Sequence, residues 1–302
     1  MSKGLLGFLN SIISLVVVLT LLTAGLYSAY ALWDNRQIYN AAQDVQSALL
    51  AFKPKATAAE GEGDVAAGPS FEELLAINPD VCGWITLDGT AIDHAVLQGA
   101  DNLTYINRDA YGNFALAGSI FLDSRCDRGF GDPYSLLYGH HMVNHGMFGD
   151  LDLYKDAEFY RLNHTGTLMT PGAEHPLHIL ACVVTLASDD AVFEPATWEE
   201  DSTKLLDYAW ENALYVCEEF MAEAEALRDA WLAGDGEMPR ILALSTCSSE
   251  YTNARTILLT LMDATGEIPE DGVTITLVNE LQEEAAYEDA AEPAQPGVEA
   301  MP

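Results

Sequence analysis

In the stretch LALSTCSSEYTNARTILL, Cys247 closes one apolar run and Arg255 opens the next. A guanidinium is charged at any physiological pH. Beside a thiol it favours the thiolate, and it can also hold an oxyanion developing on an attacked carbonyl. A sulfur nucleophile needs a proton-transfer partner, most often an imidazole. The chain has 7 histidines, at positions 94, 140, 141, 145, 164, 175 and 178. His140, in YSLLYGHHMVNHGMFGDL, has the best context, because it follows Gly139 at the end of a strand-like run where a barrel rim would expose it. His178 lies inside a strand pattern and the others read as loop residues. Taken alone, a cysteine and an arginine at this spacing are more often a small core hydrophobe and an unrelated surface charge. The pair therefore has to be judged by the elements that carry it.

RILALST alternates with period two, so Ile241, Ala243, Ser245 and Cys247 share one face and Leu242, Leu244 and Thr246 the other. ARTILLTLM begins a second strand after a short connection, and short connections favour antiparallel neighbours. Cys247 then ends one strand at the level where Arg255 begins its partner, at one rim of a sheet. Further strand candidates are CGWITL and TAIDHAVL, joined through the turn signal Asp88-Gly89, and SIFLD, YSLLYG, GTLMT, HILACVVTL and VTITLV. Short strands separated by turns predict a barrel or sandwich. NLTYIN reads as a short helical patch, and residues 197–232 as one long helix or two packed on the barrel.

The chain's 302 residues allow one or two domains with a sizeable core. Its 47 acidic against 13 basic residues give a net charge of −34, which repels nucleic acid and offers no electrostatic footing on anionic lipid. Between Lys3 and Asp34 no residue is charged, and this run exceeds the ~20 apolar residues that cross a bilayer. It is about twice the ~7–15 residues of a signal-peptide core. Lys3 on the short side favours a cytoplasmic N-terminus, and Tyr27, Tyr30 and Trp33 suit the far interface. The expected layout is a cytoplasmic start and membrane anchor over residues 1–33, then a juxtamembrane helix and linker over 34–70. A folded domain follows over 71–277 and a disordered acidic tail over 278–302.

The chain resembles the class B sortases. The resemblance covers roughly Asp34 to Leu277 and is carried by several elements in order. These are WDNRQIYNAAQ after the anchor, INPDVCGWITLDGTAIDHAVLQGADNLTYIN, GSIFLD, YGHHM with HGMFGDLDLY, and LSTC followed by Arg255. It implies a mainly β fold, a closed eight-stranded barrel with peripheral helices. It also implies a cysteine transpeptidase with Cys247 as nucleophile, His140 as general acid/base and Arg255 holding substrate and oxyanion. Asn102, Ile106, Tyr138 and Ser245 fall at positions matching the family's substrate groove. The implied partners are proteins with a C-terminal sorting signal and an amine acceptor on a peptidoglycan precursor or another protein. The implied setting is the outer face of a cell membrane, and no cofactor or metal is expected. The chain departs from the family at His141, where Asn is usual, at His145, and in a longer segment over 216–240.

Two other functions fit some of these residues. The same cysteine site could hydrolyse rather than transfer. Alternatively, His140, His141 and His145 could bind a metal in an extracellular module, but HHxxxH lacks the glutamate of the HExxH helix and is flanked by glycines. The other cysteines, Cys82, Cys126, Cys182 and Cys217, show no disulfide framework and read as core or incidental residues.

Overall fold

The computed structural model describes residues 3–55, 70–142, 145–247, 254–269 and 272–279. Of the expected helix and linker over 34–70 and tail over 278–302, residues 56–69 and 280–302 lie outside the described residues, as does the side chain of Cys247. The chain divides into two compact units, one holding residues up to Ala41 and the other beginning at Ala42.

Helix α1 runs without a break from Lys3 to Leu50, 48 residues, or about 72 Å at 1.5 Å per residue. An 18-residue window within it reaches a mean hydropathy of 2.2, with none of it buried. Long apolar side chains such as Leu15, Val16, Leu22 and Leu26 are exposed along it. The boundary expected near residue 33 is therefore a change of composition inside one helix.

In the second unit, the last turns of α1 bring Val45 and Leu49 against a cluster containing Leu74, Val81, Trp84 and Leu97. Leu74 belongs to the short helix α2, Glu72–Ile77. Strands β1 (Val81–Leu87) and β2 (Asp93–Leu97) form the expected hairpin. Its turn needs Gly89, whose φ of 73° is left-handed and whose Cβ would stand 1.7 Å from Asn163 Oδ1. Strands β3 (Ile120–Leu122), β4 (Tyr134–Met142), β5 (Gly146–Met147), β6 (Thr165–Thr170) and β7 (Ala173–Leu186) follow. Between β5 and β6 lie a 3₁₀ turn, Gly149–Lys155, and helix α3, Ala157–Leu162, capped by Asp156 accepting from Phe159 N.

The segment expected as one or two helices over 197–232 is more divided. Helix α4 (Asp190–Phe193) and a 3₁₀ turn (Pro195–Trp198) precede helix α5 (Lys204–Asn212). A short strand, β8 (Tyr215–Cys217), then separates α5 from helix α6 (Glu218–Leu232). The apolar residues Ala213, Leu214, Tyr215 and Val216 are buried, and Tyr215 and Val216 pair with β7, which stops the helical pattern there. Asn102 to Ile106 form turns rather than a helix, because Asp101 Oδ1 accepts from both Leu103 N and Thr104 N.

The chain finishes with β9 (Ile241–Cys247), β10 (Ala254–Met262) and β11 (Ile275–Leu277). Eight strands close the barrel in the order β1–β2–β3–β4–β9–β10–β7–β6 and back to β1. The β2–β3 and β4–β9 pairs are parallel and the other six are antiparallel. Strands β8 and β11 extend the sheet beyond β7. Strand β9 is buried on both faces from Ile241 to Thr246, as expected of a strand flanked in the wall by β4 and β10.

Candidate active site

Three strand ends meet at one rim of the barrel. Strand β4 runs parallel to β9 with His140 opposite Cys247, so their backbones are about 5 Å apart. Strand β10 runs antiparallel to β9, with Ile257 opposite Ser245. Two residues further along that ladder the same register brings Arg255 level with Cys247. On its other side Arg255 faces Thr185 of β7. The described structure thus brings the backbones of Cys247, His140 and Arg255 together.

Each side chain is positioned by local packing. Gly139 lets β4 pass under Ile120 and Phe148, since a Cβ there would lie 2.4 Å from Ile120 Cδ1 and 2.6 Å from Phe148 Cδ2. The next residue, His140, is half-buried, and its Nε2 lies 2.8 Å from the Ile106 carbonyl oxygen. If that nitrogen carries the proton, it donates to Ile106. Ile106 sits in the connection from β2 to β3, which is tied down by Tyr105 Oη donating to Asp80 (2.7 Å) and Asn78 Nδ2 to Ala110 O (2.9 Å). Ser119 Oγ donates to Arg108 O (2.7 Å) in the same connection.

Arg255 is half-buried and donates from Nη1 to the Thr246 carbonyl at 2.9 Å, holding its guanidinium beside the residue that precedes the cysteine. Its Nε is buried and has no hydrogen-bond partner among the described residues. A buried donor left unmade costs about 1–3 kcal/mol. Behind it, Thr256 N donates to Thr246 Oγ1 (3.2 Å), and Thr256 Oγ1 donates to Asp152 (2.5 Å). Asp152 also meets His141 Nε2 at 2.8 Å and Lys155 Nζ at 3.1 Å. Burial alone would raise the Asp152 carboxyl, but the His141 bond, the Lys155 charge and the Thr256 bond together hold it well below the usual range.

The expected groove residues are placed unequally. Asn102 and Tyr138 are half-buried and converge on the carboxylate of Asp123, at 2.9 and 3.1 Å. Ile106 is half-buried beside them in the same apolar cluster as Tyr138. Ser245 stands opposite Tyr138 in the β4–β9 register, but its side chain is wholly buried and donates to Thr246 O at 3.2 Å. Sequence reasoning missed Asp123 and Asp152, although Asp123 directly follows the apolar run SIFL.

The three histidines weighed as metal ligands turn to three separate acceptors. His140 meets Ile106 O, His141 meets Asp152, and His145 Nδ1 lies 2.6 Å from Asp150. Among the described residues no group of three His, Cys, Asp or Glu side chains is placed to hold an ion. Cys82, Cys126, Cys182 and Cys217 are buried and unpaired, and burial pushes each thiol up to about 12. They are inert as nucleophiles at neutral pH.

No family model matches the chain. A Streptococcus pyogenes class B sortase involved in pilus biogenesis superposes with a TM-score of 0.52 and 31% identity, over 64% of this chain and 97% of that one. Sortase B of Staphylococcus aureus is 29% identical over 187 residues, 61% of this chain and 70% of the relative. Sortase B of Listeria monocytogenes is 26% identical over 253 residues, 83% of this chain and 95% of the relative. With the closed barrel and the cysteine, histidine and arginine strand ends at one rim, these similarities make the chain a member of the class B sortases, the cysteine transpeptidases.

Proposed function

We propose that this sortase cleaves a sorting-signal peptide through a thioacyl-enzyme on Cys247 and transfers the acyl part to an amine. The supporting observation is the shared register that puts His140 and Arg255 on the two strands flanking Cys247. His140 takes the proton of the Cys247 thiol as the sulfur attacks the scissile carbonyl carbon, and the electron pair of the C=O bond moves to its oxygen. Arg255, with its half-buried guanidinium at the same rim, stabilises that oxyanion. Collapse breaks the C–N bond as His140 gives its proton to the leaving amine. An incoming amine, from a peptidoglycan precursor or another protein, attacks the thioester and regenerates the thiol. Ordinary values of about 8.5 for Cys and 6.5 for His set neutral thiol and neutral imidazole as the reference state at pH 7. Two coupled groups of this kind give a bell-shaped rate profile. Asn102, Ile106, Tyr138 and Ser245 form or back the groove for the peptide.

The apolar run before Trp33 anchors the enzyme as a single span with its N-terminus in the cytoplasm and the 71–277 domain outside. Its length and the aromatic residues at its far end support this reading. Protease added to intact protoplasts should digest the catalytic domain; protection of that domain would reverse the orientation.

Mass spectrometry of products from a peptide library offered with candidate amines tests the reaction. The wild-type enzyme should gain the mass of one acyl fragment and release an amide-linked product. Cys247→Ala should show neither, and turnover by that variant removes the assignment. Free acid as the sole product, unchanged by added amine, would instead make the enzyme a hydrolase.

A further inference from the structure

Asp123 lies just past the end of β3, with its side chain wholly buried. Its carboxylate accepts five hydrogen bonds. Oδ1 takes Arg125 N and Arg125 Nε, both at 2.9 Å. Oδ2 takes Arg125 Nη2 at 2.8 Å, Asn102 Nδ2 at 2.9 Å and Tyr138 Oη at 3.1 Å. Two groove residues from separate segments are therefore aimed by one buried charge. Asn102 is fixed from both ends, since its Oδ1 accepts from Ser124 N at 2.7 Å. Its second amide N–H makes no bond among the described residues, and that is the donor a bound peptide carbonyl would take.

Arg125 carries the arrangement further. It donates from Nη2 to Phe193 O (2.7 Å) and from Nη1 to Glu194 (2.6 Å), at the end of α4. The Phe193 ring stacks on Tyr138, with centroids 6.3 Å apart and planes at 11°. Asp123, Tyr138, Phe193 and Arg125 thus form a closed circuit. Tyr138 stands two residues before His140 and opposite Ser245, which stands two before Cys247. The circuit therefore lies immediately down-strand from the reacting groups.

We infer that Asp123 and Arg125 are positioning residues for the peptide groove. Asp123 orients Asn102 and Tyr138, and Arg125 pins the end of α4 against Tyr138 as a wall of that groove. This rests on the groove reading given above. Neither side chain has to touch substrate. A merely structural ion pair would support the fold but would not select between binding and chemistry.

The test is a comparison of Asp123→Asn and Arg125→Lys with the parent enzyme, using the library peptide of highest kcat/KM. Asparagine keeps the shape of Asp123 but loses the charge that gathers its donors. Lysine keeps the charge of Arg125 but cannot make the paired contacts. Asp123→Asn should raise KM about tenfold, the scale of one charge-assisted hydrogen bond, with kcat within about twofold. Arg125→Lys should raise it by a smaller factor. The same rise should appear in the Kd of the peptide for each variant carrying Cys247→Ala. The rate and pH profile of Cys247 alkylation by iodoacetamide, which needs no groove, should stay unchanged. Unchanged KM and Kd, with only a lowered melting temperature, would overturn the proposal. So would equal losses in kcat and in alkylation rate. A parent enzyme that binds the peptide without turning it over would instead count against the transpeptidation mechanism, and the Kd series would still decide the positioning roles.

Discussion

Two aspartates stand behind the rim of the barrel, and they differ in access to water. Asp123 is sealed, its side chain 0% exposed, and gathers Asn102, Tyr138 and Arg125. Asp152 is 32% exposed and gathers His141, Lys155 and Thr256. Both carboxyls are held below the usual range against the opposing pull of burial. Removing a sealed carboxylate leaves its donors with nothing to bond to, whereas water can replace a half-exposed one. The groove side of the rim is therefore rigidly wired, and the side behind Arg255 is more forgiving.

The largest expected effects come from the groups in front of both aspartates. His140→Ala should lose about 10²–10⁴-fold in kcat, the usual worth of a general acid/base. Arg255→Lys should lose about 100-fold in kcat/KM, because an ammonium cannot hold Thr246 O and present a second N–H in one plane. Steady-state kinetics on the library peptide read both. Near-normal kcat/KM for Arg255→Lys would remove the oxyanion role and leave the arginine a structural tie.

Next in size is the acid response of the fold. Burial holds His94 down to about 4, in spite of the neighbouring Asp93 charge. Because that folded value is depressed, the unfolded chain takes up the proton first as pH falls below about 6.5. Stability is then lost between about 6.5 and 4, roughly 3 kcal/mol in all. His94→Leu should abolish that stage in urea midpoints measured from pH 7 to 4. Asp123 and Asp152 act lower. Their depressed values contribute stability that is complete above about pH 4 and is lost as pH falls through those values. The stability gap between the parent and Asp123→Asn should be full at pH 7 and close below pH 4. A gap that does not narrow as pH falls would locate the effect in packing rather than charge.

Asp152→Asn should come lower still, at about threefold in kcat with KM unchanged, since a half-exposed pair contributes little. This is the reverse of the split expected for Asp123→Asn. If both variants moved KM, the division between a groove side and a catalytic side would fail.

Much of this arrangement was legible in local sequence, and what was not has a physical cause. All nine strand segments read from apolar β-type runs occur, because such runs in a barrel wall are bounded by turns such as Asp88-Gly89. The β9–β10 pairing followed from the short connection between them. The position of His140 beside Cys247 did not, because β4 and β9 pair in parallel across about a hundred residues and no local signal encodes that register. Strands β5 and β8 are too short to show a period. Asp123 was invisible for a different reason. An acidic residue after an apolar strand usually meets solvent, and only tertiary structure brings Asn102 and Tyr138 onto it. Ser245 illustrates the converse, since its match to the groove pattern is by position while its hydroxyl is turned into the wall.

The smallest effect is expected at His141, where this chain departs from the family's asparagine. The ring is 36% exposed and meets Asp152 at 2.8 Å. His141→Asn replaces it with a side chain whose amide N–H₂ can donate to a carboxylate. Asp152 meanwhile keeps Lys155 and Thr256, so Thr256 and the adjacent Arg255 should stay in place. Peptide turnover should remain within about twofold of the parent, the scale of one exposed pair. Alkylation of Cys247 should keep the same pH profile. Loss of activity in His141→Asn alongside retained activity in His140→Ala would exchange the two histidines. The proton donor would then be the ring held by Asp152, and the half-exposed aspartate would become the more consequential of the two.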